Sequence, residues 1–152
     1  MDTTLASVHQ FHQEFDIPVN NKPTIPGGYL RIELLQEELN ELYEACYKSD
    51  LVKVADALAD LQVVLDGAFL EYGMGKAKIH LVAEAMRANM TKKELVEIEE
   101  EQTQEEKDLK ISPRLRRELK VIKNNSGKVL KGNQYVPPDF KSVLEQMYGP
   151  IS

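Results

Sequence analysis

The sequence predicts an all-α fold with a four-helix-bundle-like core, a charged insertion and a short C-terminal hairpin or tail. Three observations predict it. Apolar residues recur every three or four positions in each long segment up to Met90, the spacing of one helix face. Pro and Gly cluster between those segments. The two longest segments are joined through Ser49-Asp50 alone, a connection short enough to make them antiparallel neighbours.

Leu5, Val8, Phe11 and Phe15 mark a short first helix ending near Asp16. The stretch IPVNNKPTIPGGY, residues 17–29, is a loop, its prolines and glycines separating that helix from the next. In the second helix Ile32, Leu35, Leu39, Leu42 and Cys46 fall on one stripe that should enter a core, and Cys46, the single cysteine, reads as packing. Asp50 or Ser49 caps the third helix, Leu51 to Tyr72, whose expected buried face is Leu51, Ala55, Leu58, Gln62, Leu65 and Phe69. Gly73 and Gly75 end it. A further helix, about Lys76 to Met90, presents Ile79, Val82, Ala83, Met86 and Met90 to the bundle.

The acid-dominated run Glu94 to Asp108 reads as a solvated helix or mobile insertion, on which the basic PRLRRELKVIKN beyond it can fold back. Asn124 to Gly127 is a turn signal leading into a small hairpin of Val129-Leu130 and Gln134 to Val136 around Lys131-Gly132-Asn133. Pro137-Pro138 stops it, and Phe140 to Tyr148 is a terminal helix. The chain thus reads as a single domain, 1–152, with a charged insertion at 94–124 and a C-terminal tail at 125–152.

A chain of 152 residues that is 42% hydrophobic suits one domain with a real core. Its net charge of -6 argues against a nucleic-acid duplex as ligand, because phosphate-backbone binding needs a basic face. No segment is long and apolar enough for a membrane span, and Met1 to Gln13 lacks a charged start followed by an apolar core, so a cytoplasmic protein is expected. The third helix is apolar around nearly its whole circumference, which predicts a homodimer or homotetramer.

The chemistry lies in the acids of the two long helices. Glu38 sits on the shoulder of the apolar stripe, Glu41 stacks beside it one turn on, and Glu37 lies next to Glu41 but farther round. On the third helix Asp56 and Asp60 share a face with Val52, Val63 and Gly67, and no Lys or Arg occurs between Lys53 and Lys76. Solvated Glu-rich helices are common. Two Asp residues one turn apart in a Val/Leu/Ala segment are not, since Asp is a poor interior helix residue. Carboxylates set near a core need a proton, a base or a cation, and a hard divalent ion with oxygen ligands, Mg²⁺ or Mn²⁺, is the natural partner. The candidate ligands are Glu38, Glu41, Asp56 and Asp60. Glu-x-x-His pairs, which build di-iron bundles, are absent from the sequence, and that favours hydrolytic Mg²⁺. His9 and His12 lie three apart without a third ligand and read as surface residues; His80 reads as packing.

The order EExxE, a short connection, DALADLQVVLDGAFLEYGM, and later RANMTK and GKVLKGNQYVPPDF resembles the all-α nucleoside triphosphate pyrophosphohydrolases, in particular the MazG-like branch often labelled phosphoribosyl-ATP pyrophosphohydrolase-like. The resemblance covers roughly residues 8–92 and 125–145. In that family the second acidic motif is usually ExxD, whereas the residue three before Asp60 is Ala57, and Asp56 stands four before it. Positions four apart still share a face, so Asp56 can complete the cluster.

The resemblance implies Mg²⁺-dependent cleavage of a nucleoside or deoxynucleoside triphosphate between the α and β phosphates, giving the monophosphate and pyrophosphate. It also implies Glu37 as the base acting on the attacking water. Arg87, Asn89 and Lys92 in RANMTK, with Lys128 and Lys131 in the tail, are candidate donors to the substrate; their ordinary alternative is surface solvation. Tyr29 or Tyr72 is a candidate stacking surface for a base. The insertion and tail are closer to the MazG-like branch than to the histidine-pathway enzyme, which turns the expectation away from phosphoribosyl-ATP itself. Two rivals stay open: a helical interaction protein that kept the fold without catalysis, and a metal-dependent hydrolase of another phosphoester.

Overall fold

The computed structural model describes residues 3–151, so the extreme ends of the expected domain, Met1, Asp2 and Ser152, lie outside the described residues. The elements run α1 (Thr3–Glu14), α2 (Leu30–Tyr47), α3 (Leu51–Glu71), a single 3-10 turn (Gly75–Ala77), α4 (Lys78–Met90), β1 (Glu94–Glu99), α5 (Gln104–Asp108), β2 (Leu115–Lys120) and α6 (Phe140–Tyr148). The fold is helical as expected, with one small antiparallel two-stranded sheet. Among the described residues no helix is long and apolar enough to cross a membrane.

The chain divides into two compact units, Met1–Val82 with Phe140–Ser152, and Ala83–Asp139. The sequence suggested one domain with an insertion and a tail. The 94–124 segment and the tail as far as Asp139 fall in the second unit, and the chain from Phe140 onward, with α6, falls in the first.

In the first unit α2 packs along α3, and α1 packs on α3. Asp50 caps α3 as expected, its carboxylate accepting the Lys53 N–H at 3.1 Å, a contact generally worth about 1 kcal/mol. Loop 17–29 satisfies the last carbonyls of α3: Asn20 N–H donates to Leu70 O and Thr24 N–H to Tyr72 O, both at 3.0 Å, and the Asn20 amide donates to Glu71 O at 2.6 Å. Gly73, at φ +72, makes this docking possible, because a Cβ there would lie 1.8 Å from Lys22 O. Leu5 and Val8 of α1 meet Leu70 of α3 in the core, with Val19 and Phe69 against them.

Several expected inward faces lie open. Leu39 is 51% exposed, Leu58 52% and Met86 53%, and Cys46 is also exposed. α3 has apolar residues on two sides, and a single chain supplies a partner for one: Ala45 of α2 and Ala57 of α3 are the buried small residues, while Leu51, Leu58 and Leu65 are not covered. In α1 the buried face is Leu5, Val8 and His12, leaving Phe11 and Phe15 outside. His12, expected on the surface, is 1% exposed.

In the second unit the acidic run forms no long helix. Glu94–Glu99 is a strand, and the basic segment does fold back on it, pairing Glu97 with Arg117 and Leu95 with Leu119. The Glu97–Arg117 contact is an ion pair at 3.2 Å. The expected turn at Asn124–Gly127 is present, Asn124 Oδ1 accepting the N–H groups of Ser126 and Lys128 at 3.0 and 2.9 Å. The bridge it closes joins Lys123 to Val129 rather than Val129-Leu130 to residues 134–136. The 134–136 segment docks elsewhere: Gln134 N–H donates to Lys93 O at 3.0 Å and Val136 N–H to Thr91 Oγ1 at 2.8 Å.

Candidate active site

Packing α2 against α3 brings the predicted carboxylates to one region of the first unit. Glu38 is the centre of it. Its Oε2 is buried with no hydrogen-bond partner. Burial pushes its pKa up, and the charges of Asp60, Glu41, Glu37 and Asp56, in that order, push it further. The acid that Glu38 feels most strongly therefore lies on the other helix, as the antiparallel pairing requires. All of these influences act in the same direction.

Beside it is an open cleft of about 890 Å³ whose walls include Glu37 and Glu41 of α2 and Asp56 of α3, with Lys48 and Lys53 at one end. Glu38 and Asp60 are not part of that wall. Among the described residues no three acidic, His or Cys side chains stand close enough to close round a cation. The five carboxylates form a convergent acidic patch, not a finished cage. The donor set suits a hard divalent ion nevertheless: it is all oxygen, and the buried orphan oxygen of Glu38 is a group that a proton or a cation would satisfy. Ala57, where the family pattern has Glu, is buried and cannot ligate, while Asp56 next to it is exposed on the cleft.

The predicted donors lie in the second unit, and there the structure joins RANMTK to the tail. Arg87 donates to both oxygens of Glu84, Nε at 2.9 Å and Nη2 at 2.8 Å, and Nη2 also reaches Pro137 O at 2.9 Å. Glu84 in turn accepts the Asp139 N–H at 2.8 Å. The Arg87 hydrogen bond, then the Asp139 N–H, hold the Glu84 carboxyl below its usual range. Arg87 thus fastens the tail to α4. Lys131 extends over the Tyr135 ring, 4.8 Å from its centre. Asn89 and Lys128 are exposed and Lys92 half-buried.

Sequence reasoning missed the buried polar groups of the first unit. Arg31 pairs with Glu71 (Nε to Oε2, 2.5 Å) and donates to His12 Nε2 at 3.2 Å; Lys78 pairs with fully buried Asp66 at 2.6 Å. The only signal was the placement of His12 and Asp66 on otherwise apolar stripes. Asp66 also accepts from Gln62 one turn back at 3.0 Å, but the charged partners Arg31 and Lys78 lie on other helices, where no helical spacing reveals them.

No curated protein matches the chain. The family model for phosphoribosyl-ATP pyrophosphohydrolase matches residues 8–89, which takes in α2, α3 and all five carboxylates of the patch. A member of that family is a pyrophosphohydrolase, a hydrolase of acid anhydrides with a nucleotide-like substrate. With more than half of its length matched, the chain belongs to the phosphoribosyl-ATP pyrophosphohydrolase family, within the MazG-like all-α nucleoside triphosphate pyrophosphohydrolases.

Proposed function

We propose that this protein is a Mg²⁺-dependent nucleoside triphosphate pyrophosphohydrolase that converts a nucleoside or deoxynucleoside triphosphate to the monophosphate and pyrophosphate. The observation that carries this reading is Glu38, a half-buried acid with one oxygen buried and unpartnered, whose ionisation is opposed by four neighbouring carboxylates. Such a group is costly to the apo protein and well suited to binding a cation.

Glu38, Glu41 and Asp60 would hold the metal, Mg²⁺ or in its place Mn²⁺, with Asp56 on the cleft wall joining them. Such an ion would supply charge neutralisation of the triphosphate and activation of water as a nucleophile. Glu37, on the wall of the same cleft, orients the attacking water and takes its proton as the oxygen bonds to phosphorus and the bridging P–O bond breaks. Asn89, Lys92, Lys128 and Lys131 supply donors to the substrate. Arg87 contributes through whatever guanidinium capacity its contacts with Glu84 and Pro137 leave. The protein works in the cytoplasm, and as a homodimer or homotetramer, the assembly being supported by the open apolar faces of α2, α3 and α4.

The test is incubation of the purified chain with Mg²⁺ or Mn²⁺ and each nucleoside and deoxynucleoside triphosphate in turn, with products separated by chromatography and Glu38→Gln as control. Monophosphate and pyrophosphate, absent in the control, are expected. Monophosphate formed equally by Glu38→Gln overturns the site, and release of single phosphate overturns the reaction. No turnover of any triphosphate overturns the substrate class.

A further inference from the structure

His12 occupies a position that only one protonation state satisfies. Its Nδ1 lies 3.1 Å from the Pro18 carbonyl oxygen, which can only accept, so Nδ1 carries a hydrogen. Its Nε2 lies 3.2 Å from Arg31 Nη2, and a guanidinium can only donate, so Nε2 presents its lone pair. The imidazole is therefore the neutral Nδ1–H tautomer. It is fully enclosed, and the wall on the α3 side is the backbone of Gly67, where a Cβ would come within 2.9 Å of Nε2 and 2.8 Å of Arg31 Nη1.

We propose that His12 is an acid-sensitive latch, holding α1 on the α2–α3 pair only while its ring is neutral. A proton on Nε2 would set N–H against N–H across the Arg31 contact. The charged groups around the ring are Arg31 from α2, Glu71 from α3 and His9 on α1 itself. Among the described residues named around the ring Glu71 is the counter-charge, and the Arg31 Nε already occupies its Oε2 at 2.5 Å. Burial holds the His12 ring below its ordinary pKa; the Pro18 carbonyl opposes this, Arg31 reinforces it, Glu71 opposes it and His9 reinforces it. The same helix carries Leu5 and Val8 of the core, so the latch governs docking of the whole segment.

The sign comes from linkage. The released helix has an ordinary His, with pKa about 6.5, and binds a proton that the docked ring refuses. Docking is insensitive to pH above about 6.5. Below it the docked-to-released ratio falls about tenfold per pH unit until the lowered docked value is reached.

Hydrogen exchange of the α1 amides in the full chain, corrected for the intrinsic pH dependence, tests this between pH 7.5 and 5. The comparison is with His12→Gln, whose amide can donate to Pro18 and accept from Arg31 at any pH. Wild-type protection of α1 should fall about tenfold per unit below about pH 6.5, with α2 and α3 still protected, and the variant should stay flat. A flat wild-type profile, or the same fall in both proteins, overturns the latch. If His12→Gln fails to fold, the ring nitrogens of wild-type His12 decide by NMR. A neutral Nδ1–H ring that titrates together with the loss of α1 protection supports the proposal, and a ring already charged at pH 7 overturns it.

Discussion

The chain has two acid-rich regions, and they are electrostatic opposites. On α2 and α3 five carboxylates converge, and the central one, Glu38, has its pKa raised by burial and by the other four. Between Glu94 and Asp108 the acids are as dense, yet several have partners of their own: Glu97 has Arg117, Glu94 the Asn133 N–H and amide, Glu106 the Thr103 N–H in a capping box, and Asp108 the Gln104 amide. The pKa of Glu106 goes down, first because of that backbone hydrogen bond. Acid content alone therefore says little. Acids with local partners read as scaffolding, whereas carboxylates that raise one another's pKa hold free energy that a cation can release.

The sharpest way to break this comparison is turnover. Glu38→Gln or Asp60→Asn should lower the rate of pyrophosphate release by at least about 100-fold, a typical loss when a metal-site or acid–base group is removed, with far-UV CD unchanged. Glu97→Gln should leave the rate within about twofold, since exposed ion pairs contribute little. Comparable losses in all three variants would erase the distinction.

Metal binding comes next. Saturating Mg²⁺ or Mn²⁺, at about 100 times its Kd, should stabilise the wild type by about 2.7 kcal/mol and raise Tm by several degrees. Glu97→Gln should show the same rise and Asp60→Asn should lose it. A rise retained in Asp60→Asn would place the ion elsewhere.

Without metal the sign reverses. Removing the ionised Glu38 relieves repulsion, so Glu38→Gln should melt higher than wild type at pH 7. A carboxyl whose folded pKa is raised penalises the fold only where it is ionised. The gain should therefore shrink as pH falls through the raised value towards the unfolded value of about 4.3, and calorimetry at both ends checks it. The smallest effect is expected between Glu94 and Asp108. Thr103→Ala should loosen α5 several-fold by hydrogen exchange, since helix caps are generally worth about 1 kcal/mol, with no change in turnover. Glu106, with its pKa lowered, contributes stability above about pH 4.3 that is lost as pH falls through its folded value.

Much of this was legible because it is local. The Asp50 cap, the Gly73 stop and the turn at Asn124 depend on the nearest few residues, and each lies where its residue type predicts. The carboxylate patch was legible for a related reason: Glu38 and Glu41 are fixed by helix periodicity, and the short Ser49-Asp50 connection dictates which helix they meet. Burial partners were not legible. Periodicity on α3 announces apolar faces without saying what covers them, and Leu58 is open where the sequence put it inside. His12 falls at i+7 from Leu5 and i+4 from Val8, on the buried face itself, but its reason for being there is Arg31, which only tertiary packing brings near. In Glu94–Glu99 the acids drew attention from Leu95, Val96 and Ile98, whose β-branched and aliphatic character suits the strand observed.

The side chain of Asn133 serves β1 as a one-residue neighbouring strand. Its carbonyl accepts the Leu95 N–H at 2.8 Å, while its amide nitrogen donates to Leu95 O at 3.1 Å and to Glu94 Oε1 at 3.0 Å. Deamidation, the ordinary chemical ageing of asparagine, would keep the first of these bonds. It would turn both donors into an oxygen facing two oxygens, one of them charged. Hydrolysis of that single amide would thus weaken the tail's attachment to β1, leaving it the Leu95 N–H bond and the backbone Asn133 N–H donated to Glu94 while the helices remain sound.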